Sequence, residues 1–307
     1  MAVRLAQLDD VVGIRDVCIA GIARWQRMTV SGHVEDLPYD DLSIYERWLH
    51  GGAWMTVETG AIWLTHLLSG TGLALIHEDA GTITGYAEAY FGHESAPFGQ
   101  HLHIAKLLGD EQAKHSLMDA MIEEASDIGR ITVASTIYDE ATLGFYHDLG
   151  FIELSQIQRV NLSAKGDAVG FYKVTEHDLS DASEIDGWQM PIGRLENARY
   201  HWEQLLPQLW YAVPEITRRK IHRLRFNAGG QDAFVVLQEQ LYNPRSAEVY
   251  CWTPKNLSTH LMGGIRDWAY KTGFRSLTMA VPEHIAKILD SDLEQTAHQN
   301  VILVKNI

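Results

Sequence analysis

His101 and His103 stand two residues apart in FGQHLHIAKLL, a stretch read as a strand. A period of two sends both imidazoles to one face and Leu102 and Ile104 to the other. With an ordinary pKa near ~6.5, a histidine can take or release a proton around neutrality, so the pair is a candidate general base. Two histidines facing solvent would fit the same pattern. Glu88, in GYAEAY on the preceding strand, is a second candidate base, although carboxylates on strands are commonly solvated. Tyr146 lies in YDEATLGFYHDLGFIEL, residues 138–154. A phenol with a pKa near ~10 stays protonated at neutral pH and can act as a general acid. With Gly150 just past a helix end, Tyr146 and Phe151 are also the pair expected to touch in a Schellman-type cap.

The elements that must position these groups follow a regular order. AVRLA reads as a strand, and Asp9-Asp10 opens a helical pattern running to Ile22. Residues 23–70, rich in Trp25, Tyr39, Tyr45, Trp48, Trp54 and Trp63, read as helices and loops. GLALIHEDAGTITGYAEAYF is a hairpin turning at Asp79-Ala80-Gly81. The His101–His103 strand comes next, then a helix over GDEQAKHSLMDAMIEEASDIG with the stripe Ala113, Leu117, Ala120, Met121 and Ile128, capped by Gly129. After the strand RITVAST, Asp139 caps a helix with the stripe Thr142, Phe145, Tyr146 and Leu149. Gly150 ends that helix, and FIELSQIQRVNL is a strand.

SAKGDAVG, residues 163–170, reads as a linker. Beyond it the order begins again. FYKVTEHDLSDASEI echoes AVRLAQLDDVVGIRDV, and STHLMGGIRDWAYKTGFRSLTMAV follows the pattern of KHSLMDAMIEEASDIGRITVAS. The expectation is an α/β fold, with helices on an α+β mixed sheet, in two units spanning residues 1–165 and 170–307. A length of 307 residues suits two domains.

Composition narrows the partners. A net charge of −15, with no run dense in lysine or arginine, argues against nucleic acid and suits a cationic or amine-bearing small molecule. Cys18 and Cys251 are far apart, without metal-type spacing, so neither a disulfide framework nor a metal site is expected. No apolar run reaches the ~20 residues of a membrane span, and the start lacks a signal-peptide core. No membrane association and a cytoplasmic location are the default expectations. The oligomeric state is not legible.

The first half resembles the GCN5-related N-acetyltransferase family. The features that carry the resemblance are the opening strand and acid-started helix, the hairpin LALIHEDAGTITGYAEA, the strand–helix HLHIAKLLGDEQAKHSLM and the box DEATLGFYHDLGF. The family box is commonly Asn-x-x-Ala-x-x-(Leu/Phe)-Tyr-x-x-x-Gly-Phe; here Asp139, Thr142, Phe145, Tyr146, Gly150 and Phe151 occupy its places. From residue 170 onward the likeness suggests a second, degenerate copy without the box.

The resemblance implies acetyl-CoA as cosubstrate and direct attack by an amine of a small molecule or peptide. It implies Tyr146 as general acid, and a His-x-His base like that of members acting on arylalkylamines. It also implies cofactor contacts at Ile104, Ala105 and Lys106, along the loop and helix start at Gly109, Gln112, Ala113 and Lys114, and at Asp139.

The loop departs from the family. Where Arg/Gln-x-x-Gly-x-Gly/Ala is usual, residues 109–114 read GDEQAK, without either motif glycine. A carboxylate about 4 Å from a phosphate costs on the order of 4 kcal/mol at an effective dielectric near 20. Asp110 and Glu111 therefore either point away from a phosphate, partly offset by Lys114 and His115, or simply cap a helix whose dipole favours acids. The departure leaves open a non-catalytic acyl-CoA- or metabolite-binding relative, or a purely structural protein.

Overall fold

The buried runs Leu73–His77 of LALIHED and Gly85–Tyr90 of TITGYAEAYFGH anchor the first long hairpin of a computed structural model that describes residues 2–29, 31–166, 171–179, 181–289 and 293–307. The chain divides into two compact units that interleave in sequence. The first comprises Met1–Tyr90, Ile104–Asp127 and Pro207–Arg218, and the second Phe91–His103, Ile128–Leu206 and Arg219–Ile307. Residues 167–170 of the expected linker lie outside the described residues.

In the first unit, β1 (Ala2–Leu5) runs antiparallel to β4 (Leu73–Asp79), which pairs with β5 (Thr82–His93). The β4–β5 connection is Ala80-Gly81, both at positive φ (48° and 82°), as a two-residue hairpin turn demands. Helix α1 (Val11–Ala20) buries Val11, Ile14 and Cys18. Its entrance is tied to the sheet by Arg4, which donates to Asp10 at 2.8 Å and to Glu78 at 3.0 Å.

The aromatic-rich segment contains a small hairpin that its composition did not signal, β2 (Gln26–Met28) with β3 (Val34–Asp36). It also holds α2 (Ile44–Trp48) and α3 (Val57–His66). Ser43 and Glu46 form a reciprocal capping box on α2.

Strand β6 (Gln100–Gly109), whose first residues belong to the second unit, leads to α4 (Glu111–Glu124). The helix stops short of the expected end. Its cap is Ala125, and Ile128 and Gly129 lie in the turn that follows. Ser126 and Asp127, whose side chains compete for backbone groups, lie where the continuation was expected.

The second unit contains β7 (Arg130–Thr136), α5 (Glu140–Asp148), β8 (Ile152–Ser163), β9 (Tyr172–Glu176), β10 (Gln189–Ile192) and α6 (Ala198–Gln204). It continues with β11 (Ile221–Ala228), β12 (Gln231–Gln240), β13 (Asn243–Thr253), α7 (Thr259–Thr272), β14 (Ser276–Pro282), α8 (Glu283–Ala286) and β15 (Glu294–Asn306). Its strands are ordered β7-β15-β8-β14-β13-β12-β11-β9. β13 and β14 pair in parallel, from Ser246↔Ser276 to Glu248↔Thr278.

The chain's last strand thus lies between β7 and β8, while β8 continues onto β14. Beside the parallel pair, β10 adds to β13, and the Gly193 N–H donates to the Ala280 carbonyl at 2.7 Å. The core packs Leu261, Ile265 and Ala269 of α7 on Val235, Val249 and Leu277. Gly273, in the left-handed conformation, caps α7. No helix among the described residues is long and apolar enough to cross a membrane.

Candidate active site

His101 and His103 alternate with Leu102 and Ile104 as the pattern requires, yet both imidazoles are buried, each 1% exposed, rather than facing solvent. Room for the first is made by Gly92 on β5, where a Cβ would lie 2.6 Å from the His101 ring. His101 Nδ1 lies 3.0 Å from the Gly99 carbonyl, whereas its Nε2 is 3.7 Å from Glu94, too far for a hydrogen bond. Burial, reinforced by His103, pushes His101 down to about 4, so it is neutral at pH 7 and a weak base there. His103 is bound at both nitrogens. Nδ1 is 2.9 Å from the Thr132 hydroxyl on β7, and Nε2 is 2.7 Å from Glu196 Oε2.

Glu196 was not among the residues the sequence singled out. It rides on the loop Gly193–Asn197 between β10 and α6, and the loop is anchored on both sides of it. Arg194, 2% exposed, pairs with the equally buried Glu94 and lies 3.9 Å over the Phe98 ring. Burial pushes its guanidinium down to about 9. His201 Nε2 accepts the N–H groups of Leu195 (3.1 Å) and Glu196 (3.0 Å). Burial foremost, then Arg194, pushes His201 down to about 3, which keeps the imidazole neutral and able to accept. Asn197 caps α6 through the Tyr200 N–H at 2.8 Å. Within this buried cluster the Glu196 side chain keeps 26% exposure.

Tyr146 sits at the end of α5 in a complete Schellman motif. The Phe151 N–H donates to the Tyr146 carbonyl at 3.0 Å, the Gly150 N–H donates to His147 at 2.9 Å, and Gly150 has φ +86°. The Tyr146 and Phe151 rings meet edge to face at 5.2 Å. Burial and, second, the negative charge of Glu196 push the phenol well above its usual value. It is protonated throughout the neutral range.

Glu88 lies in the other unit, and the solvated setting common for strand carboxylates is not what the fold provides. It is 0% exposed and accepts from Trp54 Nε1 (2.7 Å), Trp63 Nε1 (3.0 Å), Tyr86 (3.0 Å) and Tyr90 (2.6 Å). A carboxylate offers about four lone-pair sites, so these donors fill it. Trp54 is buried against Tyr86, and Trp63 stacks on Trp210 at 6.1 Å. Trp48 meets Trp210 edge-on at 4.5 Å.

At the strand–helix junction of the first unit, the Asp110 carboxylate accepts the Ala113 N–H at 2.8 Å. Of the two roles open for Asp110, it performs the cap. Gly109, at φ +131°, and Gly85 are close-packing glycines. A Cβ on Gly109 would lie 2.8 Å from the Thr84 carbonyl, and one on Gly85 would lie 2.8 Å from the Ala113 Cβ. Ile104 and Ala113 are buried, Ala105, Lys106, Gly109 and Lys114 are half-buried, and Gln112 is exposed. In the second unit, Asp139 caps α5 through the Thr142 N–H at 3.0 Å.

No protein-family profile matches this sequence, and no curated protein matches it. Solved structures do. A GCN5-related N-acetyltransferase from Anabaena variabilis matches over 99% of this chain and 72% of its own, with a TM-score of 0.62 at 8% identity. A GCN5-related N-acetyltransferase from Kribbella flavida matches over 99% and 71%, with a TM-score of 0.55 at 13% identity. At such identities the likeness is one of architecture. The chain has the fold of the GCN5-related N-acetyltransferases, the fold that the box around Tyr146 implied.

Proposed function

We propose that the protein is an acetyl-CoA-dependent N-acetyltransferase, moving an acetyl group to an amine of a small molecule or peptide by direct attack. The observation that carries this reading is a carboxylate–imidazole pair whose charge acts on a protonated phenol within one unit of an acetyltransferase fold. Glu196 bonds His103 at 2.7 Å and its charge reaches Tyr146. Acyl transfer needs a proton removed from the ammonium and one delivered to the departing thiolate. The His103–Glu196 pair serves the first need and Tyr146 the second. His101, neutral and enclosed, supports the pair, and Glu88 anchors the aromatic core.

Acetyl-CoA supplies the activated thioester. The proposed cofactor contacts are the backbone of Ile104, Ala105 and Ala113, the side chains of Lys106, Gln112 and Lys114, the Gly109 turn, and Asp139. Residues 1–165 and 170–307 are proposed as two copies of one domain, the second without chemistry of its own.

A second reading, a non-catalytic binder of acyl-CoA or a related metabolite, draws on the Asp110 cap at the helix start. Two measurements separate the readings. Thermal unfolding with CoA and acetyl-CoA reports binding, since a ligand at 100 times its Kd adds about 2.7 kcal/mol. Release of free thiol on adding a panel of amines reports transfer. A shift without thiol release supports the binder, and no shift at millimolar acetyl-CoA rejects both.

A further inference from the structure

The His-x-His pattern directs attention to the imidazoles, but the geometry points to a different proton acceptor. His103 has no nitrogen left for a substrate: Thr132 takes Nδ1 and Glu196 takes Nε2. It is also 1% exposed, whereas Glu196 keeps 26% of its side chain exposed. Glu196 Oε2 is bound to His103, and Oε1 has no hydrogen-bond partner among the described residues. The loop holding it is fixed by the Arg194–Glu94 pair and by the two N–H groups donated to His201. Thr132, His103 and Glu196 thus form a chain of hydrogen bonds running from strand β7 outward, with the carboxylate at its accessible end.

We propose that Glu196, contributed by the β10–α6 loop, is the general base of the transfer reaction, and that His103 is a positioning residue that orients it. The inference rests on the acetyltransferase reading and assigns its proton acceptor. In the step, an ammonium proton passes to Glu196 Oε1, freeing the nitrogen lone pair. The lone pair attacks the thioester carbonyl carbon, and a C–N bond forms. The C–S bond breaks with its electron pair going to sulfur, which takes the Tyr146 proton. The nitrogen's second proton restores Tyr146 through solvent, and Glu196 releases its proton to solvent. The products are amide, thiol and one proton.

The charged and titratable groups around the pair are His101 on the same strand, Arg194 on the loop, His201 on α6, Tyr146 on α5 and Glu94 on β5. His101 and His201 stay neutral at pH 7, and Arg194 is paired with Glu94. A general base acts only when deprotonated, so the assignment requires an acid limb in the rate profile.

The test is kcat/KM against pH with acetyl-CoA and the best amine of the panel, for wild type, Glu196→Gln, Glu196→Asp and His103→Gln. Circular dichroism melting would check that each variant folds. Glu196→Gln is expected to lower kcat/KM by roughly 100-fold or more and to abolish the acid limb. Glu196→Asp should keep the limb at reduced rate, and covers the case in which the glutamine variant does not fold. His103→Gln should retain the limb, displaced, with a smaller loss. A limb kept in Glu196→Gln and lost in His103→Gln would make His103 the base and overturn the proposal. An active wild type with Glu196→Gln unaltered would reject the assignment alone, whereas an inactive wild type would reject the acetyltransferase reading along with it.

Discussion

The indole N–H of Trp54 lies 2.7 Å from a carboxylate oxygen of Glu88, a residue with no exposed surface and three further donors around it. Four aromatic side chains from α3, β5 and the turn before α3 therefore converge on one buried charge. The arrangement is satisfied as long as the acceptor is there. Removing it takes that acceptor from all of them, and each buried donor orphaned costs about 1–3 kcal/mol. Glu88→Ala is expected to lower unfolding free energy by more than about 3 kcal/mol. Denaturant titration followed by tryptophan fluorescence measures it, and a loss under 1 kcal/mol would mean that the donors find other partners.

Tyr146→Phe keeps the ring that packs on Phe151 and removes only the hydroxyl. The Schellman end of α5 should persist, with melting temperature nearly unchanged. Turnover should drop by roughly 100-fold, within the range for loss of a general acid, while acetyl-CoA affinity holds. Equal turnover would leave Tyr146 as a packing residue alone.

Replacing Asp110 and Glu111 with glycine removes two negative charges from the start of α4. Glycine costs only a few tenths of a kcal/mol at a cap, so the fold should survive. Acetyl-CoA binding, measured by calorimetry, should tighten if this helix start receives the phosphates as proposed. Unchanged affinity would place them elsewhere.

Stability should fall in mild acid through His101 and His201, whose folded values of about 4 and about 3 lie below an ordinary unfolded value. Where a folded pKa is depressed, the unfolded chain binds protons that the folded chain refuses, so stability is full above about pH 6.5 and is lost as pH falls toward the folded values. Denaturant midpoints at pH 7, 6 and 5 should decrease in that order. His201→Gln, which keeps an acceptor for the two loop N–H groups, should flatten the slope. An unchanged slope would remove His201 from the account.

A fragment ending at residue 165 loses β15, the strand that sits between β7 and β8. Two strands then present open edges where a central partner belongs. The fragment is expected to aggregate or remain partly unfolded, as size-exclusion chromatography and amide exchange would show. A stable, cooperative fragment would mean that β7 and β8 can close on each other without it.

Much of the local structure was legible because its determinants are neighbours in the chain. Ala80-Gly81 turns the hairpin through its own backbone angles. Asp110 and Asp139 each cap an amide three residues on, and Gly150 ends α5 with Tyr146 against Phe151. The helix end misplaced at Gly129 shows the limit of that logic, since an apolar stripe does not say where backbone competition begins.

What the sequence by itself determined, then, was the order of elements, their caps and turns, and the alternation that puts His101 and His103 on one face. Only tertiary structure decided what those faces meet. His103 finds Glu196 at a separation of 93 residues, and Glu88 finds its two indoles 34 and 25 residues away. β15 enters the sheet beside β7 and β8 from the far end of the chain. Burial of a polar side chain depends on partners brought in from a distance. No spacing within a strand can reveal whether its carboxylate or imidazole will face water, a donor or another charge.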